Sequence, residues 1–232
     1  MIERIFSLPR LYDSYYEQKI LSHYKAYGTG YDFVEFYSTG DGGIISKFNS
    51  NVVISAENIG DIDELLFFLR TLSPDEIETS VPIEIDGYDK VRRTLFSFPE
   101  NALSEDITVN DNPKLDDVFS ILKTGFDIEN SYAEWLTDTS HRIRHGVSKA
   151  YLYNKTTATM LFECDSFAFF GMIATSPVNR GKGEARKLLY QLKKTYKKEC
   201  LLFAKDERVS FYEGAGFEKK YEDYIYIKRK DF

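Results

Sequence analysis

The sequence predicts an α/β protein, a mixed sheet flanked by helices, and three observations carry that prediction. A run with β character at 167–175 meets a loop with two glycines and then a helical pattern with Leu188, Leu189 and Leu192 on one face. Each half of the chain contains strand-like runs joined by turn signals, followed by an amphipathic helix and another strand. Finally, the 232 residues are 43% apolar and 16% aromatic, which is ample for a buried core and far from a disordered composition.

The stretch after the 167–175 strand reads T-S-P-V-N-R-G-K-G-E-A-R-K-L-L-Y. Strand, glycine loop and helix together make a layout for phosphate. The first amides of a helix have no partner inside it, and the dipole favours an anion there. Two common phosphate motifs fail on the spelling. A dinucleotide fingerprint requires a small residue where Arg186 stands, and a P-loop requires Lys then Ser or Thr where Glu184 and Ala185 stand.

Arg180-x-x-Gly183-x-Ala185 instead resembles the Q/R-x-x-G-x-G/A signature of the GNAT superfamily of acyl-CoA-dependent N-acyltransferases. A second stretch, Phe211-Tyr212-Glu213-Gly214-Ala215-Gly216-Phe217, resembles that family's Y-E-x-x-G-F segment and falls in the order the family requires. The resemblance covers the second half of the chain. It implies a GNAT fold over 106–232, with acetyl-CoA as acyl donor and no metal. The arm of the donor would lie along Met172, Ile173 and Ala174, and its pyrophosphate would be wrapped by Arg180, Gly181, Lys182, Gly183, Glu184 and Ala185. Tyr212 matches the family's general acid toward the leaving thiolate. Glu163 and Asp165, just before the central strand, are candidate bases, with a solvated turn as their alternative. One departure is Lys205, seven residues before Tyr212, where many members carry Asn.

Taken in order, residues 1–28 read as helical, with Leu11, Tyr15, Ile20, Tyr24 and Tyr27 at near-helical steps. Strands are expected at 31–38 and 43–48, joined by Thr39-Gly40-Asp41-Gly42, and again at 52–55. An amphipathic helix is expected at 61–72, then strands at 76–79 and 93–98 flanking a short helix at 87–91. The polar stretch 99–113 reads as a linker, giving an N-terminal α/β domain at 1–105. Helices follow at 115–123 and 132–144, where Trp135 is either core or cleft lining. Strands at 147–153 and 156–163 precede the central strand. A helix at 184–198 and strands at 201–204 and 224–227 complete the second half. The first half repeats this order without the glycine loop. It therefore reads either as a degenerate GNAT-like repeat lacking a cofactor site or as an unrelated α/β cap.

Charge narrows the partners. Residues 1–110 hold 9 Lys/Arg against 19 Asp/Glu, net −10, whereas residues 111–232 hold 21 against 18, net +3. Lys182, Arg186 and Lys187 crowd the glycine loop, which suits a polyanionic small molecule; the acidic first half argues against nucleic acid. Two cysteines, Cys164 and Cys200, are too few for a disulfide framework, and His23, His141 and His145 do not form a ligand set. No membrane span or signal pattern is legible, so the expected location is the cytoplasm. A homodimer is compatible with the sequence. The expected function is N-acetyl transfer from acetyl-CoA to a primary amine of a small molecule or protein. The alternative is a non-catalytic acyl-CoA-binding module that regulates or recruits a partner.

Overall fold

The computed structural model describes residues 1–100, 106–126, 128 and 131–230, so part of the expected linker and the expected boundary at 105 lie outside the described residues. The chain forms two compact units: Met1–Arg93 together with Glu222–Phe232, and Thr94–Tyr221. The C-terminal segment thus belongs with the first unit and not with the expected domain at 106–232.

The first unit contains β1 (Glu3–Ile5), α1 (Tyr15–Tyr27), β2 (Val34–Ser38), β3 (Ile44–Phe48), β4 (Asn51–Ser55), α2 (Ile62–Leu72) and β5 (Glu76–Thr79). It also takes the first part of β6 (Tyr88–Ser97) and most of β11 (Glu218–Lys228). Its strand order is β1-β2-β3-β4-β5-β11. Strands β1 to β4 are antiparallel, β4 and β5 are parallel, and β11 is antiparallel to β5. Helix α2 buries Leu65 and Leu69 on Ile45, Val52, Ile54 and Ile77. Helix α1 takes the other face, where His23 Nδ1 meets Ser46 Oγ at 3.1 Å.

Two expectations fail here. Residues 1–14 are not helical, because the helix starts only at Tyr15, after the N-cap Ser14 whose side chain accepts from the Glu17 amide, and Pro9 interrupts the chain before it. Residues 87–91 are not a short helix: from Tyr88 onward they are the start of β6, and Gly87 has φ +84°.

The second unit contains the end of β6, α3 (Leu115–Leu122), α4 (Tyr132–Arg144), β7 (Lys149–Tyr153), β8 (Thr156–Glu163) and β9 (Phe167–Thr175). After a 3-10 turn at Pro177–Asn179 come α5 (Glu184–Thr195), β10 (Glu199–Lys205) and α6 (Asp206–Gly214). The strand order is β6-β10-β9-β8-β7. β7, β8 and β9 are antiparallel neighbours, and β9 and β10 are parallel. Helices α5 and α6 share one face of the sheet, where Leu188, Leu189, Leu192, Tyr212 and Ala215 join Phe96, Phe98, Phe170 and Leu202. Helix α3 covers the other face with Val118, Ile121 and Leu122 against Ala150 and Ala174. Helix α5 stops at Thr195, short of 198, since Tyr196 is already extended.

Candidate donor-binding site

The site is built around an irregularity in β9. Between β8 and β9 the register runs Thr159↔Gly171 and then Thr157↔Ala174, so β9 carries one extra residue there. Met172 absorbs it with φ +51°, a left-handed backbone that a side chain rarely adopts. The consequence is a flip of faces. Ala168 and Phe170 point to the α5 side and so does Ile173, while Met172 and Ala174 pack toward α3. Below the bulge β9 is zipped to β10 from Phe167↔Glu199 to Phe170↔Leu202. Beyond Phe170 that ladder stops, although β9 runs on to Thr175 and β10 to Lys205. Two parallel strands therefore part at the bulge, leaving ladder groups of residues 171–174 facing a gap.

The glycine loop closes the end of that gap. Gly181 and Gly183 have φ +76° and +74°, so both need the freedom of glycine, and Gly183 caps α5 without any side-chain hydrogen bond. Among the described residues no protein acceptor meets the amides of residues 181–186. Arg180 sets the loop in place rather than pointing a free charge from it: Nε donates to Thr175 O at 3.1 Å and Nη2 to Thr124 O at 2.7 Å. Glu184 is a second anchor. Its carboxylate accepts from Asn179 Nδ2 at 3.2 Å, Thr156 Oγ1 at 3.3 Å and Asn154 Nδ2 at 3.4 Å. Lys182 is exposed at the rim, and Ala185 begins the helix face.

Tyr212 lies inside α6, the short helix expected between the last two strands of the second half. From Lys205 the helix doubles back along β10, and seven residues at 1.5 Å bring it about 10 Å down. Three strand residues cover about the same distance, so Tyr212 returns to the level of Leu202 and Phe170. The ring is 7% exposed and packs between Phe96 and Phe217, with centroids at 5.6 and 5.2 Å. No protein partner meets its hydroxyl among the described residues. Burial pushes its pKa up to about 12, with Arg208 nearby acting in the opposite direction, so the phenol stays protonated across the physiological range.

Glu163 is not brought to this site. It pairs with Ala168, four residues before Met172, which is about 13 Å along the strand. There its carboxylate accepts from Lys198 Nζ at 2.9 Å, an ordinary surface pair at the far end of the sheet. The polar spelling around 163–166 reads as a site only when the direction of β9 is ignored. The sequence reading also missed Glu184 as a loop anchor, although a carboxylate at the first position of a helix is a signal for such a role.

Comparison with solved structures recovers the same architecture. A GCN5-related N-acetyltransferase from Kribbella flavida superposes with a TM-score of 0.56 at 14% identity, covering 80% of this chain and 86% of its own. An acetyltransferase of the GNAT family from Colwellia psychrerythraea covers 99% of this chain and 100% of its own, with a TM-score of 0.53 at 13% identity. A tandem GNAT protein from the clavulanic acid biosynthesis pathway gives 0.52 at 9% identity, over 83% and 82%. No family model and no curated protein matches the chain. The fold is that of the GCN5-related N-acetyltransferases, an acetyltransferase-type fold with a mixed sheet flanked by helices. Among the described residues no helix is long and apolar enough to cross a membrane.

Proposed function

We propose that the second unit binds acetyl-CoA in the gap between β9 and β10 and transfers its acetyl group to a primary amine. The observation that carries this reading is the end of the β9–β10 ladder at Phe170 and Leu202, followed by a helix whose first amides have no protein acceptor among the described residues. An extended pantetheine arm complements the ladder groups of Met172, Ile173 and Ala174. One amide near the bulge then faces the thioester carbonyl and stabilises the oxyanion. The pyrophosphate takes the amides of residues 181–186, with Arg180 and Glu184 holding the loop in shape.

In the reaction the neutral amine attacks the carbonyl carbon, a C–N bond forms, and the C–S bond breaks from the tetrahedral intermediate. Nitrogen is left with one proton too many and sulfur with one too few. The balance closes when the Tyr212 hydroxyl gives its proton to sulfur and regains one from nitrogen, directly or through water. A phenol whose pKa is near 12 is suited to that relay, because it never rests as an anion beside the thiolate. Glu163 has no part in this scheme, and solvent takes the proton that the amine loses before attack. Neither nucleic acid nor a membrane enters it, and a cytoplasmic location suits it.

A second reading, a binding module without turnover, is favoured by one observation: Tyr212 is also a core residue wedged between two phenylalanines. Release of free thiol from acetyl-CoA over a panel of amines separates the two. In the enzyme, Tyr212→Phe keeps the packing and the affinity for acetyl-CoA but lowers kcat about a hundredfold. Thiol release that is unchanged in Tyr212→Phe contradicts the proton relay, whereas release that is absent with every amine despite tight acetyl-CoA binding leaves the module.

A further inference from the structure

A second irregularity lies in β8. The register runs Met160↔Phe170 and then Phe162↔Phe169, so Leu161 is an extra residue on that strand. Ser148 Oγ takes up the carbonyl at this bulge, donating to Leu161 O at 2.8 Å. The side chain leans over β9, where Leu161 Cδ1 stands 2.7 Å from the point a Cβ on Gly171 would occupy. Thr159 pairs with both Ala150 and Gly171, which places Gly171 on the sheet face that α3 covers at Ala150 and Ala174. Phe203 is the first β10 residue past the end of the ladder and turns to that face too, with its ring centroid 5.7 Å from Phe169 and 6.4 Å from Tyr221. Two residues on from the Phe169↔Leu201 pair, it stands across the gap from Gly171, which offers no side chain to fill the space. The result is a recess at the mouth of the gap, with half-exposed Leu161 and Phe203 as walls and Tyr221, 45% exposed, as its rim. On the opposite face the sheet is filled by Leu188, Leu189, Tyr212 and Ala215, so an amine reaches the gap from the side of the recess.

We infer that this recess is the acceptor subsite and that it selects a primary monoamine carrying an aromatic ring. The inference rests on the donor-binding reading and adds to it the class of the acceptor. Accessible apolar side chains gathered beside a reaction centre are suited to contact with a ligand. The rings of Phe203 and Tyr221 stand at 75° to each other, so a third ring stacks on one and meets the edge of the other. Leu161 covers that ring from the β8 side. Lys205, exposed and two residues beyond Phe203 on the same strand, shares its face and disfavours an acceptor with a second positive charge. It is also the position at which the sequence departs from the GNAT pattern.

Calorimetric titration of amines into the full chain saturated with CoA tests this without requiring turnover. The probes are 2-phenylethylamine, ethanolamine, which has the same arm without the ring, and putrescine, a diamine. The subsite predicts that 2-phenylethylamine binds about a hundredfold more tightly than ethanolamine and that putrescine binds no better than ethanolamine. Tyr221→Ala and Leu161→Ala each weaken 2-phenylethylamine about tenfold and leave the affinity for CoA unchanged. Equal affinity for 2-phenylethylamine and ethanolamine, or tighter binding of putrescine than of 2-phenylethylamine, overturns the aromatic subsite while the donor site stands. A loss of CoA affinity in the variants that matches the loss for the amine also overturns it, since that is the mark of a structural role. Failure of the wild type to bind either CoA or acetyl-CoA overturns the donor site and the subsite together.

Discussion

The two units follow one strand plan and differ at the point where a ligand would enter. In the first, β2, β3 and β4 are antiparallel, α2 leads to β5 in parallel with β4, and β11 lies beside β5. In the second, β7, β8 and β9 are antiparallel, α5 leads to β10 in parallel with β9, and β6 lies beside β10. The outcome at the central pair is opposite. β4 and β5 stay paired to Ile54↔Thr79, and the Ser80 amide then donates to Ile54 O at 3.1 Å. Ser80 Oγ closes the seam further, accepting from the Ala56 amide at 2.9 Å and donating to Ala56 O at 2.8 Å. β4 has no bulge, and its register with β3 is unbroken.

The helix ends differ in the same sense. At α2 the Glu64 amide is taken by Asp61 Oδ1 at 2.9 Å and the Gly60 amide by Asp41, so the protein supplies its own carboxylates where α5 leaves amides open. With Asp63 and Glu64 also in that first turn, an anion would be repelled. One inserted residue in a strand and two carboxylates at a helix end are enough to separate an open site from a closed one on the same topology. We propose on this basis that the first unit is a degenerate repeat of the GNAT plan that has lost the donor site.

What the first unit has instead is a buried ionic network. Arg93 Nη1 meets Glu78 at 2.8 Å and Nη2 meets Asp223 at 2.7 Å. Tyr15 donates to Glu78 at 2.9 Å, Tyr16 donates to Asp223 at 2.6 Å, and Lys19 also pairs with Glu78. The comparison breaks if removing this network acts on donor binding rather than on stability. Arg93→Ala leaves half-buried Asp223 without its cation and buried Glu78 with Lys19 as its remaining one, and should cost about 3 kcal/mol, read as a lower denaturant midpoint. The same network sets the acid limit. Lys19 and Arg93 hold the Glu78 carboxyl below its ordinary range despite burial, so its contribution is complete above the unfolded value of about 4.3 and is lost as pH falls below it. An acid midpoint unmoved in Glu78→Gln contradicts that assignment.

Smaller effects sharpen the contrast at the helix ends. Gly183→Glu places a side chain and a negative charge at φ +74° beside the open amides, and should weaken acetyl-CoA about a thousandfold in a binding titration. Gly60→Glu, at the matching place in the first unit, should leave that affinity unchanged. Glu184→Ala removes three hydrogen bonds from the loop but no group from the phosphate site, for a loss of about fivefold.

Much of this was legible in the sequence because local signals agreed with the tertiary outcome. The apolar run and flanking turns of β9, the glycines before α5 and the acids at the start of α2 each specify their element directly. The features that make the site were less legible. A left-handed Met172 is imposed by the pairing of β8 with β9 and has no local signature. The pairing of Glu78 with Arg93 has no local signature, because a buried ion pair joins strands apart in sequence. The destination of β11 in the first unit depends on which strand edge is free, and polar spelling in Glu218–Lys228 carries no record of that.

The central claim is that the donor enters the second unit at the parting of β9 and β10 and finds no counterpart in the first. Amide hydrogen exchange of the full chain, with and without acetyl-CoA, tests it most directly. The account predicts slowed exchange at residues 171–174 and 181–186 and no change at residues 52–64. Protection confined to residues 52–64, or none at either place under saturating acetyl-CoA, would contradict it.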